Sequence, residues 1–147
     1  MKSKLYSYAL VGLQFACILF LVMQQPETIV MKVFPCAVFL LGAAVGVYAI
    51  THNQSDNFNI IPEIKPHAKL VTTGAYAYVR HPMYFSVLVM MLAFLVANPT
   101  VQNGFAYGLL ILSLFLKALK EEKLWLEKCE EYHDYQKRTK SIIPFIL

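Results

Sequence analysis

Four apolar runs, Leu5–Met23, Ile29–Ile50, Met83–Ala97 and Val101–Leu119, constrain this chain more than any other feature of it. A bilayer core about 30 Å thick is crossed by roughly 20 apolar residues in helical conformation. Inside it every backbone N–H and C=O must be paired within its own segment, so the runs are predicted to be helices. Composition agrees: 58% of the 147 residues are hydrophobic, against roughly 45–50% in soluble domains. The expected class is an all-α integral membrane protein. A single domain over 1–147 carries four transmembrane helices and a C-terminal amphipathic cytoplasmic helix.

The first run follows Lys2 and Lys4 and exceeds the roughly 7–15 apolar residues of a signal peptide. The Gln24–Thr28 segment after it offers no small-residue cleavage pattern and reads as a turn marked by Pro26. The second run tolerates Lys32 near its end, where a long amine can snorkel, and holds Pro35 as a candidate kink. Gly42 and Gly46 in this run, and Gly104 and Gly108 in the fourth, share the Gly-xxx-Gly spacing that lets helices approach closely, and packing within the chain is the expected use of both. Met83–Ala97, at 1.5 Å per residue, covers only about 22 Å, so its start is expected inside the membrane boundary. Asn98-Pro99 then makes a tight turn, which requires the third and fourth helices to be antiparallel neighbours.

Between the second and third runs lies a polar stretch, Thr51–Arg80, too long for a turn and threaded with Ile60, Ile61, Ile64, Leu70 and Val71. Such loops are usually functional or disordered, and the apolar residues in this one favour an ordered segment that folds back on the membrane face. Of thirteen Lys and Arg residues, Lys32 alone falls on one side if the runs alternate. That asymmetry puts both termini and the long loop in the cytoplasm. A formal charge of +4, carried between apolar runs, suits a membrane surface and not nucleic acid. Cys17, Cys36 and Cys129 form no Cys-x-x-Cys pair, and the four histidines lack ligand spacing, so no metal is expected.

The candidate site starts in LVTTGAYAYVRHPMY, Leu70–Tyr84. Gly74 permits a positive φ, and Pro82 pushes His81 out of helical space while serving as the first helical residue. Arg80 and His81 are thereby held at the border of the third span, where ionisable groups are costly enough to suggest function. An interfacial anchor with a helix start has the same composition. After the fourth run, Lys117–Lys123 leaves the membrane on the same side, and one of the adjacent Glu121 and Glu122, about 100° apart on a helix, can face Arg80 and His81. A plain solvated exit also reads Lys-Glu-Glu-Lys. Beyond it Trp125, Cys129 and Tyr132 recur as one apolar helix face within Lys120–Lys140.

LVTTGAYAYVRHPMY, then KEEKLWLEKCEEYHDYQKR, then IIPFIL resembles the isoprenylcysteine carboxyl methyltransferase family and, more loosely, its phospholipid methyltransferase relatives, over roughly Asn57–Leu147. The resemblance implies a helical membrane enzyme binding S-adenosyl-L-methionine in a cytosol-facing pocket. It implies cofactor contacts from Leu70, Val71, Tyr76, His81, Pro82, Met83, Tyr84 and one of Glu121 and Glu122, with Arg80 and Lys117 as the catalytic, acceptor-placing cations. Three positions depart from the family pattern: Ser86 for Gly, Lys128-Cys129 for Phe-Gly, and Lys117 for the Arg that holds a prenylcysteine carboxylate. Arg grips a carboxylate with two parallel donors and Lys is a point charge, so carboxylate, thiol and amine acceptors all stay open.

A carboxylate or thiolate acceptor needs mainly orientation, whereas an amine needs a base such as His81 or a Glu. The acceptor is expected to be lipid-like or prenylated and to enter sideways from the bilayer, with membrane lipids as the other partner. Two other classes compete: a non-catalytic four-helix protein such as a transporter subunit, and an NADPH-dependent membrane reductase. The first usually needs an ionisable residue in mid-span, which Leu5–Met23, Val33–Ile50 and Met83–Ala97 lack.

Overall fold

A computed structural model describes residues 2–25, 33–53, 57 and 59–144. The expectations placed on Pro26–Lys32 fall outside the described residues. The elements are α1 (Lys2–Met23), α2 (Val33–His52), a short 3-10 turn at Gly74–Ala77, α3 (Pro82–Ala97), α4 (Val101–Lys128) and α5 (Glu131–Arg138). Among the described residues the only extended pairing is an isolated bridge between Val79 and Lys140, so the chain is all-α.

Three helices, α1, α2 and α4, are long and apolar enough to cross a membrane, and α3 is a shorter apolar one. Their outer faces carry exposed Leu5, Phe15, Leu19, Phe34, Leu40, Leu41, Val101 and Phe105, as lipid-facing surfaces should. The core is a seam between α1, α3 and α4 built on Cys17, Leu21, Leu88, Met91, Leu110 and Leu114.

The helices run alternately up and down. At one end Asn98 donates to the Gln24 carbonyl (2.6 Å) and Gln25 to that of Phe94 (3.3 Å). At the other end Lys117 reaches Gln14 on α1 and Lys120 reaches Ser7. Thr100 caps α4, accepting from the Asn103 N–H (3.2 Å), and Asn98-Pro99 makes the expected tight link between α3 and α4. These two touch, yet α3 packs chiefly on α2 and α4 chiefly on α1.

Gly42 and Gly46 explain the α2–α3 pairing. A Cβ at Gly42 would stand 2.7 Å from the Met90 nitrogen, and one at Gly46 would stand 2.8 Å from Ser86 Oγ, so the backbones close to a distance no larger residue allows. Gly104 and Gly108 do not do the same, since a Cβ on either meets nothing within 4 Å. Their spacing matches the motif, but no helix among the described residues packs against the face they occupy. Pro35 sits in the first turn of α2 as described, not in its middle.

A second expectation needs correction beyond α4. The Trp125, Cys129, Tyr132 face does not belong to one helix, because Cys129 is extended (φ −146°, ψ 116°) and α5 turns away. No Gly or Pro marks the break. It is set by tertiary contacts: α5 stacks Tyr132 on Trp125 (centroids 6.0 Å, 12°) and sends the Tyr135 hydroxyl to the Tyr76 carbonyl (2.6 Å). The loop before α3 is pinned down in the same region. Asn57 pairs with both the N–H and the C=O of Lys69 (3.0 Å each), and the Lys128 ammonium donates to the carbonyls of Lys65, Pro66 and Ala68.

Candidate active site at the membrane border

Gly74 takes φ +62°, as the turn requires, and the chain passes through the 3-10 turn to His81, the residue before Pro82. Segment 139–141 runs beside this turn. The N–H groups of Arg80 and His81 donate to the carbonyls of Lys140 (2.8 Å) and Ser141 (2.9 Å), and Lys140 donates back to Tyr78 (3.1 Å). Backbone groups that a loop would leave open to water are thereby paired.

Arg80 is enclosed. Its Nε and Nη2 donate to the two oxygens of Glu122 (3.0 and 3.2 Å), and Nη1 donates to the carbonyls of Gln136 (3.1 Å) and Thr139 (2.5 Å). Glu122 also accepts from Ser141 Oγ (2.6 Å) and Gln136 Nε2 (2.9 Å). A desolvated ion pair of this kind holds only with its remaining lone pairs satisfied, and here they are.

His81 is buried between two carboxylates, with Nε2 3.3 Å from Glu122 Oε1 and Nδ1 3.4 Å from Glu121 Oε2. Burial disfavours the imidazolium, but hydrogen bonds to Glu121 and Glu122 and their charges outweigh it and raise the His81 pKa above its ordinary value. Its ring lies flat against that of Tyr84 (5.2 Å, 9°), whose hydroxyl donates to Glu121. Burial first, then Tyr135 and Glu121 for Tyr76 and Glu122 for Tyr132, pushes both phenols well up, so both remain neutral.

On the membrane side of Tyr84, the Lys117 ammonium is 2% exposed. It donates to Gln14 Oε1 (2.6 Å) and the Ile60 carbonyl (3.0 Å) and stands 5.1 Å above the Tyr84 ring. Among the described residues no carboxylate lies within ion-pair distance of it. An ammonium has three N–H donors, so one is left for the space beside it.

These groups face a cavity of about 530 Å³, within the range of small-molecule and cofactor sites. At the loop end its wall is polar and aromatic: Asn57, Leu70, Val71, Tyr76, His81, Glu121, Trp125, Tyr132 and Tyr135. At the membrane end it is apolar, with Phe15 and Ile18 from α1, Ala43, Val47 and Ile50 from α2, and Val87 and Met90 from α3. Helices α1 and α2 scarcely touch. Phe15, Val47 and Ile50, each more than one-third exposed, flank that gap.

Of the residues singled out in the sequence, Leu70, Val71, Tyr76, Arg80, His81, Met83, Tyr84, Lys117 and Glu121 line the cavity. Pro82 and Glu122 do not reach its wall: Pro82 starts α3, and Glu122 lies behind His81, taken up by Arg80. Arg80, expected to hold an acceptor, has all three guanidinium nitrogens engaged by the protein. Gln14, Trp125, Tyr132, Tyr135 and Ser141 were not anticipated as site residues. A lone amide within the first apolar run was a usable signal for Gln14; the others depend on the turn at Cys129.

Fold and site together define a multi-pass helical membrane protein with a cavity that is polar and aromatic at one end and apolar at the other. Residues 33–128 match the family model for isoprenylcysteine carboxyl methyltransferases, and the chain belongs to that family. The match takes in α2 and stops at Lys128, so it begins earlier and ends earlier than the motifs suggest. Among curated proteins the chain is 36% identical over 104 residues to mouse protein-S-isoprenylcysteine O-methyltransferase (67% of this chain, 36% of the relative). It is 27% identical over 118 residues to the Arabidopsis thaliana protein-S-isoprenylcysteine O-methyltransferase B (77% and 59%). It is also 32% identical over 116 residues to rat 3-oxo-5-alpha-steroid 4-dehydrogenase 1 (77% and 43%). The chain thus spans less than two thirds of the length of these relatives.

Proposed function

We propose that this protein is an S-adenosyl-L-methionine-dependent membrane methyltransferase whose acceptor is a lipid-like molecule of the isoprenylcysteine type, methylated on an anionic group at the cytoplasmic border. One observation carries the reading: Lys117, a buried ammonium whose hydrogen-bond acceptors among the described residues are both neutral, stands where the polar and apolar halves of the cavity meet. Burying an unpaired charge is expensive, and a ligand anion at that junction relieves the cost.

The loop half suits the cofactor on chemical grounds. Glu121 offers a carboxylate to a cationic group, and the aromatic wall of Tyr76, Trp125 and Tyr132 suits a sulfonium or a purine. When bound, the cofactor supplies an electrophilic methyl group. The chain's own residues orient and desolvate: His81 and Tyr84 fix the Glu121 carboxylate from two sides, and Lys117 holds the acceptor's anionic oxygen in line. A carboxylate acceptor is a nucleophile without losing a proton to the protein. With a carboxylate at each of its ring nitrogens, His81 has neither nitrogen open to take a proton from an amine, which favours that acceptor over an amine.

The apolar half, flanked by α1 and α2, suits a prenyl or acyl tail that stays in lipid, saving about 0.8 kcal/mol per CH₂ otherwise exposed to water. Similarity to the steroid 4-dehydrogenase favours one competing reading, a nicotinamide-dependent membrane oxidoreductase using the same cavity. Titration of S-adenosylhomocysteine and of NADPH against the purified protein separates them. Saturable binding of the first alone, with methyl transfer from labelled cofactor into a lipid extract, supports the proposal; saturable binding of NADPH alone overturns it.

A further inference from the structure

We infer that Ser141, on the segment strapped beside the Arg80-His81 turn, is a positioning residue that sets how tightly Glu122 holds His81. Three donors converge on a single oxygen, Glu122 Oε1: Arg80 Nε at 3.0 Å, Ser141 Oγ at 2.6 Å and His81 Nε2 at 3.3 Å. The shortest of the three is the serine's. Ser141 is buried and cannot turn its hydroxyl to water, and its own carbonyl accepts from the His81 N–H, so one residue fixes both the backbone and the ring partner of His81.

Glu122 does not depend on Ser141 for its place, because Arg80 binds both of its oxygens and Gln136 donates to the second. What the serine does is share the lone pairs of Oε1. A carboxylate oxygen relieved of one donor becomes a better acceptor for those remaining. Removing the hydroxyl therefore strengthens the grip of Glu122 on the imidazolium and turns the ring's balance away from Glu121, the carboxylate on the cavity wall. The other groups facing His81 are Glu121 from α4 and the stacked Tyr84 from α3, with Lys117 over the far face of Tyr84 and Tyr132 and Tyr135 of α5 behind the Arg80–Glu122 pair. None of these changes with Ser141. The segment after α5 thus has an electrostatic role in addition to its mechanical one.

The inference rests on the proposed methyltransferase reading only for its link to catalysis. Its test does not. In the full chain in nanodiscs, with ¹³C-labelled histidine and the His81 signal identified by its loss in His81→Asn, the titration midpoint of His81 is read in the wild type, Ser141→Ala, Ser141→Cys and Ser141→Thr. Ser141→Ala is expected to raise the midpoint by about half a unit to one unit. Ser141→Cys, a weak donor, should fall between, and Ser141→Thr should restore the wild-type value. If Ser141→Ala does not fold, Ser141→Cys against the wild type decides. A midpoint unchanged or lowered in the folded variant overturns the inference, whatever ligand the cavity takes.

Discussion

At the scale of single residues, the two adjacent glutamates have different work, although the sequence offers them as equals. Glu122 closes a buried ion pair with Arg80, and its removal leaves that guanidinium uncompensated. Glu122→Ala should cost about 3–5 kcal/mol of stability, read as a fall in thermal midpoint in detergent. Glu121 faces the cavity and, among the described residues, pairs only with His81 and Tyr84, so Glu121→Ala should lower the midpoint less than Glu122→Ala does and weaken S-adenosylhomocysteine about 10- to 150-fold by calorimetry, the worth of one charge-assisted hydrogen bond. Equal effects of the two changes on stability would sink this division. His81 adds a pH dependence. Its folded pKa lies above its unfolded value, so its pairing contributes fully below about pH 6.5 and is lost as pH rises through the folded midpoint. Wild-type stability relative to His81→Asn should therefore decline as the pH rises above about 6.5, and a difference that stays constant over the whole range in which the protein folds would rule it out.

At the scale of elements, apolar length and the Pro82 and Asn98-Pro99 punctuation were legible because each is a local property. The short α3 and the nearness of the Glu pair to the Arg80-His81-Pro82 turn both follow from those signals and the alternation of spans. What could not be read is whatever depends on a distant surface. Gly42 and Gly104 begin identical spacings, yet only the first has a helix against it. Gly42→Ala should cost about 1–3 kcal/mol, since the added carbon collides with Met90 backbone, and Gly104→Ala should cost nothing measurable. Comparable losses in thermal unfolding would contradict the packing. The break at Cys129 was hidden for the same reason: Trp125 and Tyr132 kept helical spacing in a stretch that tertiary contacts bend, and with it were hidden Tyr135, Ser141 and the ion pair's outer shell.

At the scale of the whole molecule, the positive charges gather at the end that carries the cavity, which places that end in the cytoplasm as an expectation from charge bias. In intact cells a membrane-impermeant thiol reagent should label a cysteine at Gln25 and not one at Asn53, in a background lacking the native cysteines; the opposite pattern reverses the orientation. On the proposed reading, the gap between α1 and α2 is the way by which an acceptor reaches the site from the bilayer. A molecule arriving through it diffuses in two dimensions, and its effective concentration is its mole fraction in the membrane and not its amount per millilitre. Diluting the acceptor with inert phospholipid, at constant totals of enzyme and acceptor, should then slow turnover in proportion, as it does for enzymes that meet their substrates on a surface. Abundance of bulk lipid around the protein would act as a competitive diluent, and crowding of the acceptor into a patch of membrane as an activator.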